Sequence, residues 1–356
     1  MRIALVSTLR TSVPPPKNSG SVEVIVALMA DHLARRGHDV TVFAPRDSRV
    51  STRVVSVLPI GYNHDPTIWD WRLAEFMQLG VVYERAADFD LIHSHVYGYA
   101  LPFTRLVGTP TVHTFHHCPG PDTVRFCGMY REGHYVVLTE FQRRFFGDVP
   151  VVGIVPNGID TASFRFNPSP GSYLVYLGTF RPEKGPLEAI RLARGAGVPI
   201  RLAGPESEYF QTVIAPEVDG RNVEYVGEVG HEDKSRLLAG ALALVFIARG
   251  LEACPLVVLE AMACGTPVLS SGPGPVPELA TAGIGGVHVE DVSQLLAAIP
   301  RVAELDRRAV RRLAVERFDV GRMVDDYLDM FNRIVASGRT EQRADMSAMS
   351  EQHWRH

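Results

Sequence analysis

The chain alternates short apolar segments with amphipathic ones, first over its N-terminal half and again after a Pro- and Gly-rich segment at residues 167–172. Short, almost uninterrupted apolar runs are typical of strands in a parallel sheet that is covered on both faces. Residues 20–36 place apolar side chains at helical spacing and end at Gly37, as a helix does. Two successive runs of this alternation predict two doubly wound α/β domains.

Strands are predicted at RIALVST, DVTVFAP, VVSVLP, DLIHSH, TPTVHTFH, YVVLTE and VVGIVPNG in the first half, and at SYLVYLGTF, PIRLAGP, NVEYVGEV, LALVFIA and TPVLSS in the second. Helices are predicted between the later strands at PLEAIRLARGAG, HEDKSRLLAGA and PLVVLEAMACG. We therefore predict a Rossmann-like first domain over residues 1–165 and a second over residues 166–318, facing each other across a cleft. A helix over residues 319–336 is expected to pack back toward the first domain, and residues 337–356, which are poor in apolar side chains, to form a disordered tail.

Composition narrows the class of protein. A chain of 356 residues suffices for two cores, and its net charge of −4 gives no reason to expect a nucleic-acid partner. No apolar run approaches the roughly 20 residues of a membrane span, and the first residues are typical of a strand rather than of a secretion signal. The four cysteines form no repeated close pair, which favours a cytoplasmic chain with free thiols. We expect a monomer or a homodimer.

Two carboxylates, Glu252 and Glu260, bracket an otherwise apolar run with seven residues between them. Pro255 suits the first position of a helix, so Glu252 is predicted in the loop before that helix and Glu260 within its first turns. A helix N-terminus attracts anions, and a carboxylate beside a bound anion is tolerated where it accepts hydrogen bonds from hydroxyls. An anion with many hydroxyls describes a nucleotide-sugar. Taken alone, the two glutamates also fit a solvated loop and an exposed helix edge, which is the commoner outcome.

A Gly-flanked loop at residues 178–185, GTFRPEKG, lies between a predicted strand and a predicted helix. Its Arg181 and Lys184 place positive charge at the mouth of the cleft, where they would neutralise a pyrophosphate leaving group, as Mg²⁺ does in other enzymes. Only three of the 36 basic residues are lysines, Lys17, Lys184 and Lys234, so a lysine kept in this loop is notable. A tight charged loop without a ligand is the alternative.

Several histidines follow a predicted strand of the first domain, in the segment His113-Thr-Phe-His116-His117. A histidine at this place would orient a hydroxyl or relay a proton, and support of the loop alone is the alternative. The neighbouring Cys118 suggests zinc, but the spacing matches no closed site and further ligands are missing, so we expect no metal.

Three weaker signals complete the set of candidate residues. Small residues in the segment Asn18-Ser-Gly-Ser21 suit the close approach of a ligand, which makes Gly20 a binding candidate. Glu228 lies at the end of a predicted strand and is a further binding candidate. The dipeptide Asn157-Gly158 signals a turn and by itself indicates nothing more.

In this order and at these distances, the motifs resemble those of the family 4 glycosyltransferases with the GT-B fold, over about residues 1–336. The resemblance is carried by Ser19-Gly20-Ser21 for the Gly-rich first turn, residues 156–160 (PNGID) for the interdomain signature, residues 178–185 for the Gly-Arg-x-x-x-Glu-Lys-Gly loop, Glu252 and Glu260 for the Glu-x7-Glu motif, and residues 274–278 for the Gly-x-Pro-Glu turn. Each motif alone is weak, whereas five in register are specific.

The resemblance implies transfer of a hexose from a nucleoside diphosphate, most often uridine diphosphate, to an acceptor hydroxyl, with retention and without a metal. In the usual proposal for this family, the leaving phosphate takes the acceptor proton on the same face of the sugar. The resemblance implies that the donor diphosphate is bound by Lys184, by a nearby arginine, here Arg181, and by the backbone of Leu256 and Val257. It also implies that Glu252 binds the transferred sugar and that Glu260 binds the ribose. His116 matches the histidine that lies beside the reacting sugar.

The chain departs from the family pattern at three places. The family's arginine directly after the first glycine of the loop is Thr179 here, and Arg181, two residues on, is the candidate to replace it. The second glycine of the first turn is Ser21, so one backbone approach to the ligand is less close. The common Phe-Gly after the first glutamate is Cys254-Pro255, and proline has no N–H to offer a phosphate.

Two other classes of protein share these motifs. One is a GT-B enzyme that epimerises or hydrolyses a nucleotide-sugar, and the PNGID signature together with the glutamate spacing favours transfer over it. The other is a non-catalytic nucleotide-sugar binder. The chain keeps all four of the residues expected at an active site, which argues against this class: Lys184, Glu252, Glu260 and His116.

The acceptor is not readable from the sequence. Trp69, Trp71, Tyr97 and Tyr99 suit stacking on an aglycone or a sugar and equally a place in the core. No basic amphipathic helix opens the chain, which argues against a lipid-phosphate acceptor at a membrane. The Arg-rich, Lys-poor composition suits a high-GC bacterium, and with it a small natural product or a low-molecular-weight thiol-type glycoside as the acceptor.

Overall fold

The computed structural model describes residues 1–16 and 20–353, with side chains through residue 338. The predicted turn at Asn18-Ser-Gly-Ser21 is therefore described only from Gly20 onward, and Lys17 lies outside the described residues. Residues 354–356 of the predicted disordered tail also lie outside them.

The first sheet contains seven parallel strands in the order β3-β2-β1-β4-β5-β6-β7. These strands are β1 (Arg2–Val6), β2 (Asp39–Phe43), β3 (Arg53–Val55), β4 (Leu91–Ser94), β5 (Thr111–Thr114), β6 (His134–Val137) and β7 (Val151–Ile154). Three of the central strands, β1, β4 and β5, are buried almost along their whole length. β1 is an apolar run, as expected for such a sheet, whereas β4 and β5 also bury histidine and hydroxyl side chains.

The second sheet contains six parallel strands in the order β10-β9-β8-β11-β12-β13. These strands are β8 (Tyr173–Leu177), β9 (Ile200–Ala203), β10 (Val223–Tyr225), β11 (Ala241–Ile247), β12 (Val268–Ser271) and β13 (Gly286–Val289). Every predicted strand coincides at least in part with an observed one, and the two parallel sheets confirm the predicted fold class.

The helices are α1 (Ser21–Arg35), α2 (Trp71–Glu84), α3 (Leu101–Thr104), α4 (Pro121–Gly128), α5 (Glu140–Arg143), α6 (Pro186–Ala196), α7 (His231–Ala239), α8 (Leu256–Ala263), α9 (Val276–Leu279), α10 (Leu295–Ala303), α11 (Arg307–Phe318) and α12 (Val320–His353). Because α12 is assigned through His353 while side chains are described only through residue 338, the disorder expected over residues 337–356 stays a prediction.

Helix α2 has a mixed pattern of exposure that hides it from sequence reasoning. Glu75 and Gln78 are buried beside apolar side chains, whereas the neighbouring Leu73, Phe76 and Met77 are exposed. An amphipathic helix is recognised by apolar side chains on one face, and here they lie on both faces. Glu75 accepts a hydrogen bond from the backbone N–H of Leu9, so the helix braces the loop after β1.

The last helix completes the core of the first domain. Val320, Met323 and Phe331 of α12 are buried with Ile3 and Ile25 in one apolar cluster. A bridge from Ile159 to Asp319 leads the chain into α12, and a Cβ on Gly158 would lie 2.8 Å from the Cα of Val320. The glycine of the PNGID signature therefore makes room for the start of α12. The domain boundaries near residues 165 and 318 stay a proposal.

Each sheet has one point where the strand order reverses direction. In the first sheet it lies between β1 and β4, and in the second between β8 and β11. A crevice opens at the carboxyl ends of the strands at such a switch point, and ligands of doubly wound sheets bind there. The loop after β1 carries Gly20, the loop after β8 carries Arg181 and Lys184, and the loop after β11 carries Glu252 and leads into α8.

Candidate active site

Lys184 and Glu252 meet at the switch point of the second sheet. Lys184 follows β8 and Glu252 follows the neighbouring strand β11, and the Lys184 Nζ donates to the Glu252 Oε1. Both side chains are partly open to solvent, with exposed fractions of 32% and 27%. Gly185 adopts a left-handed φ of 65°, and a Cβ there would lie 2.6 Å from the Ile247 side chain, so glycine lets this loop pack on the end of β11.

The electrostatics of this pair suit an exchangeable contact. Burial lowers the pKa of the Lys184 ammonium, while the Glu183 carboxylate opposes this effect and the Arg181 guanidinium adds to it. The pair thus places one ammonium and one carboxylate side by side at the edge of the cleft, where charged hydrogen-bond partners can compete for either group.

Arg181 points toward solvent rather than toward this pair. Its side chain is 67% exposed, and its Nη1 lies 3.9 Å from the Glu183 Oε1. The Thr179 carbonyl, at the place of the family's arginine, accepts a hydrogen bond from the Tyr176 hydroxyl at 2.8 Å. Whether Arg181 replaces the missing arginine therefore stays a prediction.

Glu252 and Glu260 lie on either side of the N-terminus of α8, as predicted. Pro255 is the N-cap, one position before the helix rather than at its first residue. The first N–H groups of the helix, those of Leu256 and Val257, have no acceptor within the helix and are available to an anion. One turn further in, Glu260 is buried, and its Oε1 accepts from the Nζ of Lys234 on α7.

The segment 252–254, which carries Glu252, is held by side chains of the first domain. Three successive carbonyls accept hydrogen bonds there: Glu252 from the Cys118 thiol at 3.4 Å, Ala253 from the Thr139 hydroxyl at 3.0 Å, and Cys254 from the Asn157 amide at 3.2 Å. The asparagine of the PNGID signature thus fixes the loop before α8, a role that the sequence did not predict.

Glu278, the glutamate of the Gly-x-Pro-Glu turn, makes a second link between the domains. Its two carboxylate oxygens accept from the backbone N–H groups of Glu140 and Phe141 at 2.9 and 3.0 Å. These groups form the N-terminus of α5 in the first domain, where a negative charge is favoured. The two domains therefore touch through α9 as well as through the segment before α8.

A histidine chain forms the first-domain side of the site. His116 is partly exposed, and its Nε2 lies 2.8 Å from the Nδ1 of the buried His95. The His95 ring lies 4.1 Å from the ring of His93, whose Nε2 lies 2.8 Å from the Thr114 hydroxyl. Burial, followed by the neighbouring His117, lowers the pKa of His116 to about 3, so this imidazole acts as a neutral group.

An aromatic cluster stands next to the histidines. Trp71 lies within 6.2 Å of Tyr62, Tyr97 and Tyr99, measured between ring centroids. Tyr97 in turn lies 5.4 Å from the His117 ring and adopts a positive φ of 42°, which is unusual for a bulky residue. Trp69 takes no part and is fully exposed.

The remaining candidates belong to neither of the two ion pairs. Gly20 precedes α1 at the carboxyl end of β1, at the switch point of the first sheet. Glu228 lies in the loop between β10 and α7, and β10 is an edge strand separated from β8 by β9. Among the described residues, no group of three or more His, Cys, Asp or Glu side chains is placed to hold a metal ion.

Comparison with known proteins identifies this arrangement. The family description "Glycosyltransferase Family 4" matches residues 22–163, and "Glycosyl transferases group 1" matches residues 161–313. A phosphatidyl-myo-inositol mannosyltransferase of Mycolicibacterium smegmatis is 26% identical over 340 residues, which cover 86% of each chain. A D-inositol 3-phosphate glycosyltransferase of Saccharomonospora viridis is 26% identical with 95% of each chain covered.

Solved structures agree with this assignment. AviGT4, a glycosyltransferase involved in avilamycin A biosynthesis, is 26% identical with a TM-score of 0.73, and 95% of this chain and 98% of that one are covered. Anabaena HepE, solved in complex with UDP and glucose, has a TM-score of 0.72 at 17% identity, covering 93% and 99% of the two chains, and supports the fold alone.

The chain belongs to the family 4 glycosyltransferases and has their GT-B fold. It is an enzyme that transfers a sugar from a nucleotide-sugar donor. In the part of the chain that the structure describes, no helix is long and apolar enough to span a membrane.

Proposed function

We propose that this enzyme transfers a hexose from a uridine diphosphate sugar to a hydroxyl of a small-molecule or glycoside acceptor, with retention at the anomeric carbon and without a metal ion. We also propose that it acts in the cytoplasm as a monomer or a homodimer. The observation that carries the proposal is the meeting of Lys184 and Glu252 beside the N-terminus of α8, with Glu260 one turn further in.

In this proposal, the diphosphate, the sugar and the ribose of the donor are bound by different residues of the site. The diphosphate takes the Lys184 ammonium and the N–H groups of Leu256 and Val257, which releases Glu252 to accept from sugar hydroxyls. The ribose hydroxyls donate to Glu260. Uridine is proposed because uridine diphosphate is the commonest carrier of the donor sugar in the family that the chain resembles.

The reaction exchanges one bond at the anomeric carbon for another. The bond from that carbon to the β-phosphate oxygen breaks, and a bond to the acceptor oxygen forms on the same face. The leaving phosphate, stabilised by Lys184 and the helix N-terminus, takes the acceptor proton. His116 is neutral and is proposed to orient a sugar hydroxyl by hydrogen bonding rather than to act as a cation.

The acceptor is proposed to lie on the first-domain wall of the cleft. The aromatic cluster of Trp71, Tyr97 and Tyr99 next to His117 offers ring faces on which an aglycone or a sugar ring can pack. The similarity to AviGT4, whose role is in avilamycin A biosynthesis, supports a small natural product as the acceptor class.

A donor screen followed by product analysis tests the proposal. Nucleotide-sugars are ranked by thermal shift, and the best donor is incubated with a panel of acceptors and with cell extract under mass spectrometry, with and without EDTA. Retention is read from the anomeric proton coupling of the product. Donor hydrolysis or epimerisation without any glycosylated product would support the hydrolase or epimerase class, and binding without turnover would support a binding protein.

A further inference from the structure

Lys234 is the one charged side chain of its helix segment that turns inward. Its neighbours on α7, Glu232, Asp233 and Arg236, are exposed, whereas Lys234 is buried. Its Nζ donates to the Glu260 Oε1, and the two side chains are only 9% and 8% exposed. Its Nζ also lies 6.0 Å from the centre of the Phe164 ring, so the ammonium is enclosed on a second side.

The two lysine–glutamate pairs of the site differ in their environment. The pair of Lys184 and Glu252 is open to the cleft, whereas the pair of Lys234 and Glu260 is almost fully buried. A buried ion pair cannot exchange its partner for water without leaving a bare charge, so it persists when a ligand binds. Lys234 therefore serves Glu260 as a permanent partner, while Lys184 serves Glu252 as a temporary one.

A fixed carboxylate is what recognition of two adjacent hydroxyls requires. The hydrogen bond from the Lys234 ammonium to the Oε1 fixes the orientation of the Glu260 side chain. The Glu260 Oε2 takes no part in that hydrogen bond. A site built to accept hydrogen bonds from substrate hydroxyls rejects an analogue that lacks one, because the buried acceptor is then left unpaired. A mobile or protonated carboxyl loses that selectivity.

We propose that Lys234 is a positioning residue that sets sugar selectivity in the nucleotide: it holds the Glu260 carboxylate in one orientation, so that the enzyme prefers ribonucleotides to 2′-deoxyribonucleotides. The inference rests on the proposed contact of Glu260 with the ribose. Lys234 touches no ligand atom in this account and acts only through Glu260.

The test compares the affinities of uridine diphosphate and 2′-deoxyuridine diphosphate by calorimetry, or of the corresponding pair for the base that the donor screen selects. The unmodified enzyme is expected to bind the ribonucleotide roughly tenfold or more tightly, the effect of one lost charged hydrogen bond. Lys234→Met, which keeps the length of the side chain without its charge, is expected to bring this ratio close to one, mainly through weaker binding of the ribonucleotide.

Lys184→Met is the matched control, because it removes the other paired lysine. It is expected to weaken both nucleotides together and to leave their ratio unchanged. Lys234→Gln keeps an N–H donor and is a milder change, so it decides the matter if the methionine variant does not fold; its ratio is expected to fall at least threefold.

Two outcomes separate this inference from the proposed function. If Glu260→Gln loses the selectivity while Lys234→Met and Lys234→Gln keep it, the positioning role of Lys234 is wrong and the ribose role of Glu260 stands. If Glu260→Gln itself keeps the selectivity, the ribose assignment fails, and the inference about Lys234 falls with it.

Discussion

The Lys184 Nζ donates to the Glu252 Oε1 across the ends of two neighbouring strands, so the residue proposed to bind phosphate is paired with the residue proposed to bind the sugar. In the proposed function, this contact couples the two halves of donor binding. A diphosphate that takes the lysine would free the Glu252 Oε1 for the sugar.

Glu252→Ala is expected to separate binding from turnover. Loss of the carboxylate removes the contact with the sugar and should lower kcat roughly 100-fold, as loss of one preorganised polar contact does. Because Lys184 is then unpaired, the affinity for free uridine diphosphate should stay the same or rise. Calorimetry and steady-state kinetics measure the two effects. Glu183→Ala, a change at an exposed acid of the same site, is the control, and abolished diphosphate binding in Glu252→Ala would show that its assigned role is wrong.

Lys184→Ala is expected to weaken binding of both the donor and free uridine diphosphate about tenfold or more, since hydrogen bonds to charged groups contribute roughly 1.5–3 kcal/mol. Unchanged diphosphate affinity by calorimetry would contradict the phosphate assignment.

Arg181→Ala tests whether Arg181 replaces the arginine that is missing at Thr179. A loss of diphosphate affinity similar to that of Lys184→Ala shows that it does, and an unchanged affinity shows that it does not.

Asn157→Leu is expected to lower turnover through the loop rather than through a ligand. The variant leaves the Cys254 carbonyl without its donor, which costs about 1–3 kcal/mol where the carbonyl stays buried. A displaced 252–254 segment should reduce kcat roughly tenfold with little change in diphosphate affinity. Asn167→Leu is a matched control, because Asn167 donates to the Ala239 carbonyl at 2.9 Å within the second domain. Equal kinetic effects of both variants would rule out a specific role for Asn157.

Acid is expected to destabilise the first domain through its buried histidines. Burial, followed by the charge of His134, lowers the pKa of His113 to about 3, against an ordinary value of 6.5. The unfolded chain therefore binds a proton that the folded chain refuses, so stability is complete above pH 6.5 and falls as the pH drops toward 3. Each such histidine contributes a slope of about 1.4 kcal/mol per pH unit.

His113→Leu, which removes one of these groups at similar volume, should reduce that slope by about 1.4 kcal/mol per pH unit below pH 6.5. Urea unfolding at pH 7.5, 6.0 and 5.0 measures it. Parallel pH profiles for the variant and the unmodified protein would mean that His113 is protonated in the folded state.

The fold was predictable because its determinants are local. Strands such as β1 and β11 are mostly buried, so their apolar runs stand out. Helix α2 was not predicted because Glu75 and Gln78 occupy its buried face, and residues 290–318, which form α10 and α11, had no assignment. Loop chemistry also placed Glu252 and Glu260 correctly around α8.

The partners of the site residues were not predictable in the same way. In the sequence, Lys234 is one of several charged residues on a predicted amphipathic helix, and nothing distinguishes its position from theirs. Only the packing of α7 on α8 brings it into contact with Glu260. The rarity of lysine in this chain was the one sequence signal that it carried. Asn157, Thr139 and Cys118 belong to three different segments, and their common target at residues 252–254 exists only once the two domains meet.

The place of α12 has a consequence for how the chain is made. Side chains from Val320 to Phe331 fill the core formed by β1 and α1, which are far from them in the sequence. The interior of the first domain therefore closes only after α12 has been made, and α12 follows the whole second domain in the chain. A nascent chain stopped before α12 should expose the apolar faces of β1 and α1, which makes premature termination a route to aggregation rather than to a stable half-enzyme.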